Sequence, residues 1–304
     1  MSGPAASETP YGLSAGAVPA EAGAVGGPRD GQTARAPARL RDAAVAAGKS
    51  LLPWALPIAV LVVWQLGSSL GLLSTRVLPA PSDVALAFWR TLKDGSLITN
   101  IAVSTRRALL GLAVGGGIGF ALGVLNAVWR PAETALDSTL QMLRNVPHLA
   151  IIPLVILWFG IEEEAKLFLV AIGVAFPIYL NTFYGIRNVD RGLIEMARVY
   201  GLSPGALFAR IILPGALPSI LVGLRYALGI MWLTLIVAET ISSTSGIGYM
   251  TMNAREFLQT DVVVLGVLAY ALLGKLADSL TRAIEHRALA WHPAYQSGTA
   301  GVVK

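Results

Sequence analysis

Few residues in this chain have the type and spacing to do chemistry, and those that stand out are charges set inside apolar runs. Arg225 falls near the middle of an apolar stretch over roughly 215–238, and Arg144 about a turn and a half into another over roughly 139–160. An arginine at the centre of a bilayer costs about 2.5–3.5 kcal/mol on insertion scales, so each must face protein, water or a solute. Arg144 is near enough to the end of its run for its stem to reach the headgroups, whereas Arg225 is too deep for that. Arg225 therefore has two readings. Either it borders a translocation path and favours an anion, or carbonyls or a neighbouring carboxylate satisfy it inside the protein. Glu239 ends the same run, just before the small-residue segment Ser242 to Gly248, and joins Arg144 and Arg225 as a candidate pathway residue. Lys275 and Asp278, at i, i+3 spacing, can neutralise each other.

Other chemistry is hard to place. The three histidines, His148, His286 and His292, have no partner at metal-ligand spacing, so no metal site is expected. His148 adjoins Pro147, where an apolar run is interrupted, which makes it a candidate polar group in a pathway. No nucleophile–base pair or catalytic carboxylate pair stands out, and no catalytic residue is assigned. Gly48-Lys49-Ser50 ends like a phosphate-binding loop, but Ala43 stands where the first glycine is required, and an apolar run follows at once. The chain carries no cysteine, which excludes disulfides, iron–sulfur clusters and thiol catalysis.

The elements that must position these charges are membrane helices. Apolar residues make up 55% of the chain and charged residues 13%, with a mean hydropathy of +0.64, against about 25% charged in a soluble domain. The long runs do not alternate in polarity as outer-membrane strands do. Residues 1–47, rich in Ala, Gly and Pro, read as a disordered cytoplasmic tail. Six spans are expected, at roughly 51–72, 107–128, 139–160, 166–186, 215–238 and 262–283, with a surface helix at 82–93. This divides the chain into the tail, a segment 48–106 holding the first span and surface helix, a core 107–285, and a second cytoplasmic tail 286–304. Gly111, Gly115, Gly119 and Gly123 recur at i, i+4, a smooth face on which another helix can approach closely. Arg76, Arg90, Lys93, Arg106 and Arg107 are placed in the first external loop. With both termini inside, cytoplasmic segments hold thirteen basic residues and external ones seven. The modest net charge of +5 needs no nucleic-acid partner.

Between the fourth and fifth spans lies a polar, basic hairpin, residues 190–214. Asp190 can cap a first short helix, Gly201 ends it, Ser203-Pro204 starts a second, and Pro214 stops that. Leu193, Met196, Ala197 and Tyr200 form an apolar stripe, with Arg191, Glu195 and Arg198 away from it. The pattern E-x-A-x3-G-x9-I-x-L-P is met by Glu195, Ala197, Gly201, Ile211, Leu213 and Pro214, with Met196 where a second alanine is usual. This resembles the EAA loop of ATP-binding-cassette (ABC) importer permeases. The segments LPWALPIAVLVVWQLGSSLGLLSTRVLPAPSDV (52–84), RNVPHLAIIPLVILWFG (144–160) and AETISSTSGIGYM (238–250) look like the permeases of aliphatic sulfonate, taurine and nitrate importers, the first closest to the sulfonate permeases.

The resemblance covers roughly residues 50–295. It implies an all-α integral membrane protein of the type I ABC importer kind, in a bacterial inner membrane, with the hairpin as a cytoplasmic coupling helix. Leu193, Glu195, Met196, Ala197, Tyr200, Gly201, Ile211, Leu213 and Pro214 would then meet a separate ATPase dimer. ATP and Mg would be held there, with no cofactor on this chain. The further implied partners are an external solute-binding protein, a second permease copy and the bilayer. Aliphatic sulfonate leads as substrate, with taurine, nitrate or another small solute as alternatives. Two other classes stand beside this one. A transporter driven by an ion gradient would call for inverted repeats and midplane acids, and a membrane scaffold would need no pathway.

Overall fold

The computed structural model describes residues 55–291, apart from the Ser242 side chain. The tail 1–47, the Gly48-Lys49-Ser50 fragment, the first residues of the 51–72 run, and the C-terminal residues from 292, His292 among them, lie outside the described residues. The described elements are all helical: α1 (Ala55–Ser69), α2 (Pro81–Lys93), α3 (Ser96–Val128), α4 (Arg130–Arg144), α5 (Ile152–Phe159), α6 (Glu163–Arg187), α7 (Arg191–Val199), α8 (Pro204–Leu207), α9 (Leu213–Ser242), α10 (Ile247–Glu256) and α11 (Thr260–Ala288). A π-helical turn, Phe208–Ile212, joins α8 to α9.

Among the described residues, four helical stretches are long and apolar enough to cross a membrane: Ser96–Val128, Glu163–Arg187, Pro204–Ile241 and Thr260–Ala288. The run over 139–160, expected as one span, is instead two helices parted at residues 145–151. Pro147 sits in the break and Pro153 in the first turn of α5, where a missing N–H breaks no helical bond. At eight residues, α5 extends about 12 Å and cannot cross alone. The second expected span also differs. It begins eleven residues before 107, at Ser96, whose N–H donates to Asp94 Oδ1 (2.8 Å) after a left-handed Gly95. Arg106 and Arg107, placed by sequence in a loop, are thus helical, because Ser96, Thr99, Asn100 and Ser104 hide a helix from a hydropathy reading.

At the centre, α6 lies between α3 and α9, and each seam is made by residues without bulk. A Cβ on Gly111 would strike the Val170 side chain. One on Gly115 or Gly119 would strike the backbone of Ala171 or Ala175, and one on Gly123 would stand 2.9 Å from the Tyr179 carbonyl. Across the other seam, a Cβ on Gly223 would meet the Asn181 side chain and stand 3.0 Å from the Pro177 carbonyl. Such contact replaces a hydrophobic drive that lipid does not supply. Val170, Val174, Ile178, Met231, Leu235 and Ile247 fill the core beside the seams. Gly115→Leu is expected to lower the midpoint of thermal unfolding in detergent, overpacking of this kind costing about 1–3 kcal/mol or more. Gly117→Ala, whose added Cβ has no neighbour within 4 Å, should not. Equal midpoints for the two would refute the seam's tightness.

Candidate functional site

The hairpin between α6 and α9 is defined by its caps. The Gly192 N–H donates to Asp190 Oδ1 (2.7 Å) and opens α7. At its other end the Leu202 N–H donates to the Ala197 carbonyl (3.1 Å) and the Gly201 N–H to that of Arg198 (2.9 Å), the paired bonds of a Schellman motif, with Gly201 left-handed at φ +76°. Ser203 Oγ then accepts from the Ala206 N–H (3.4 Å) to start α8. Pro214 does not stop this second helix. The chain stays helical from Pro204 to Ile241, and the π turn absorbs the proline, with the Leu213 N–H reaching back to the Phe208 carbonyl.

Of the expected stripe, Leu193, Met196 and Tyr200 are exposed, Tyr200 at 78%, and Val199 joins them at 87%. Ala197 is buried instead, facing into the hairpin. Ile194, Phe208 and Ile212 pack against Ile186, Val189 and Ala216, which fastens the hairpin to the ends of α6 and α9. Glu195 is exposed, while Ile211, Leu213 and Pro214 are half-buried. The outcome is one short helix, α7, folded back on the start of the long Pro204–Ile241 helix and displaying an apolar patch without cover in the monomer.

At the opposite end of the bundle lies a buried ionic knot that sequence reasoning missed. Arg107 is 3% exposed. Its Nε and Nη2 donate to both oxygens of Glu163 (2.7 and 2.5 Å), its Nη1 to Glu239 (2.8 Å) and to the Ser245 carbonyl (2.6 Å), and its Nη2 also to Ser245 Oγ (3.0 Å). Glu239, 1% exposed, accepts further from Ser104 Oγ, Tyr270 Oη (2.8 Å) and the Gly248 N–H (2.9 Å). Ser104 in turn accepts the Ile247 N–H (2.9 Å) and Asn100 Oδ1 that of Gly246 (2.8 Å). A side chain at Gly246, where φ is +105°, would run into the Glu239 carboxylate. Five helices, α3, α6, α9, α10 and α11, thus converge on one charge pair. Spacing held the clue: stepping back four residues along the glycine face, 123, 119, 115, 111, arrives at Arg107.

The other candidates are dispersed. Arg225 pairs with Glu285 at very short range and with Asp278 (3.7 Å), so the intraprotein carboxylate of its second reading is present. Asp278 also takes Lys275 (3.7 Å) and Arg282 (2.8 Å), so the Lys275–Asp278 couple is part of a larger group. Glu239 is enclosed by its donors. Arg144 ends α4 and is exposed, and His148 Nε2 lies 3.0 Å from Thr234 Oγ1. No group of three or more His, Cys, Asp or Glu side chains that could hold a metal occurs among the described residues.

Comparison with known proteins agrees with this architecture. The chain is 61% identical over 250 residues to an Escherichia coli (strain K12) protein named as an aliphatic sulfonates transport permease, covering 82% of this chain and 95% of that one. A Bacillus subtilis (strain 168) protein of the same name is 46% identical, over 79% of this chain and 87% of its own. The fold resembles a crystal structure of an amino acid ABC transporter with histidines at a TM-score of 0.54 and 16% identity, covering 66% of this chain and 97% of that one. Residues 113–289, more than half of the sequence, match the family described as the binding-protein-dependent transport system inner membrane component, and the chain belongs to that family of ABC importer permeases.

Proposed function

We propose that this chain is the permease of an ATP-driven importer of aliphatic sulfonates. The observation that carries the substrate is the 61% identity to the E. coli permease, sustained over 95% of that protein's length. In this reading both termini and the hairpin face the cytoplasm. A separate ATPase dimer, holding ATP and Mg, takes the patch of Leu193, Met196 and Tyr200 into a groove on each subunit. A second copy of the chain completes the pathway, and an external binding protein delivers the substrate to the end marked by the Arg107 knot. Closure of the ATPase dimer pushes α7, and the helical continuity from Pro204 to Ile241 carries that push into the bundle. Apolar contact holds the joint and Glu195 orients it.

The test is uptake of a labelled alkanesulfonate by cells lacking their own sulfonate system and expressing this chain with its ATPase and binding protein. Uptake that requires all three proteins and is not displaced by excess taurine or nitrate is the expected result. An assembled complex that hydrolyses ATP but takes up taurine or nitrate instead would overturn the substrate.

A further inference from the structure

An alkanesulfonate is an amphiphile, and the structure offers a place for each half. Between α3, α4, α5 and α6 lies a cavity of about 410 Å³ whose walls, among them Leu122, Leu143, Ile151, Phe168 and Phe176, are apolar. That volume falls within the range of about 300–1,000 Å³ usual for small-molecule pockets. A second cavity of about 360 Å³ adjoins it; much of its wall is also apolar, but unlike the first it is reached by Arg144, Asn181 and Tyr226 as well as His148. Val146, His148, Ile172 and Phe176 belong to both walls, so an apolar chamber adjoins one that holds the polar groups, the polar chamber.

Charge decides which half goes where. Of the two arginines inside the apolar runs, Arg225 is committed to Glu285 and Asp278, whereas none of the ion pairs of the described residues involves Arg144. A guanidinium offers a planar fork of donors suited to an oxyanion. The break in the 139–160 run is what opens the site: it places Arg144 at the end of α4, and the loop after it brings Val146 and His148 between the chambers. His148 is held in position by Thr234.

We infer that a sulfonate headgroup is held at Arg144 in the polar chamber, while the alkyl tail of the same molecule occupies the apolar chamber beyond Val146 and Phe176. The permease itself then discriminates by chain length, apart from any choice its binding protein makes. This rests on the sulfonate reading above.

The experiment measures uptake of labelled methanesulfonate and octanesulfonate in the same cells, with the binding protein unchanged, so that its preference cancels in each variant-to-parent ratio. Val146→Trp, at a half-exposed position, should shrink the tail chamber and lower octanesulfonate uptake about tenfold relative to methanesulfonate. Each methylene kept in water is worth roughly a fourfold change, about 0.8 kcal/mol. Phe176→Ala should move that ratio the other way. Arg144→Gln should depress both substrates alike, and Arg144→Lys should restore part of each. Equal scaling of the two substrates in both chamber variants, as expected if a lipid chain fills the cavity or a variant is merely misfolded, overturns the inference while leaving sulfonate import standing. Parent cells that take up neither substrate would overturn both.

Discussion

Arg107→Leu is expected to remove about 3–5 kcal/mol of stability, the usual result of stripping one partner from a buried ion pair. Glu239 would keep its charge at 1% exposure with only the hydroxyls of Ser104 and Tyr270 and the Gly248 N–H to hold it. Glu163, more exposed, would turn to Lys166 or to water at little cost. The loss should appear as a lower unfolding midpoint in detergent and as less protein in the membrane. Arg107→Lys should lie between, since an ammonium keeps the charge but cannot fork to Glu163 and Glu239 together. The double variant Arg107→Leu, Glu239→Gln should recover part of the loss, because no unpaired charge is then buried. A single variant as stable as the parent, or a double variant no better than the single, would show that the knot does not hold the five helices.

The second large effect should come from the hairpin, with a different signature. Gly201→Val puts a β-branched residue at φ +76°, a conformation costing about 1–3 kcal/mol outside glycine, which disfavours the Schellman turn that sets the angle between α7 and α8. Glu195→Arg leaves the fold alone and inverts the charge beside the apolar patch; loss of an interface anchor worth about 2 kcal/mol is about thirtyfold in affinity. Both variants should reach the membrane at parental levels and show sulfonate uptake reduced more than about tenfold, with ATP hydrolysis no longer stimulated by loaded binding protein. Parental uptake in both would rule out the hairpin as the coupling element.

The parts legible in sequence were those encoded within a few residues. Asp190, Gly201 and Ser203 mark helix ends by side-chain and backbone preferences that act locally, so the hairpin could be outlined without its surroundings. The glycine face of α3 was legible because its repeat matches the helix period. Hydropathy averages, by contrast, blur exceptions. They joined α4 and α5 across Pro147 into one span, and began α3 eleven residues late because hydroxyl and amide groups that serve the knot count against burial. The partners of Arg107 and Arg225 lie 53 to 138 residues away in the chain and obey no period, so only folding reveals them. Pro214 misled for a related reason: a proline ends a helix unless an extra residue in the preceding turn lets its missing N–H go unused, which the π turn provides.

The pairing of α9 with α11 has a mechanical corollary. Glu239 takes the Tyr270 hydroxyl at one level, and Arg225 takes Glu285 at another. Arg225 and Glu239 are fourteen residues apart and Tyr270 and Glu285 fifteen, so at about 1.5 Å per residue the two rungs match, about 21–23 Å from each other. A beam pinned to its neighbour at two such points can neither slide nor scissor against it without breaking a charge-bearing bond. If the hairpin is the coupling element proposed above, torque entering α9 from it turns α11 as well, and the two helices swing as one stave.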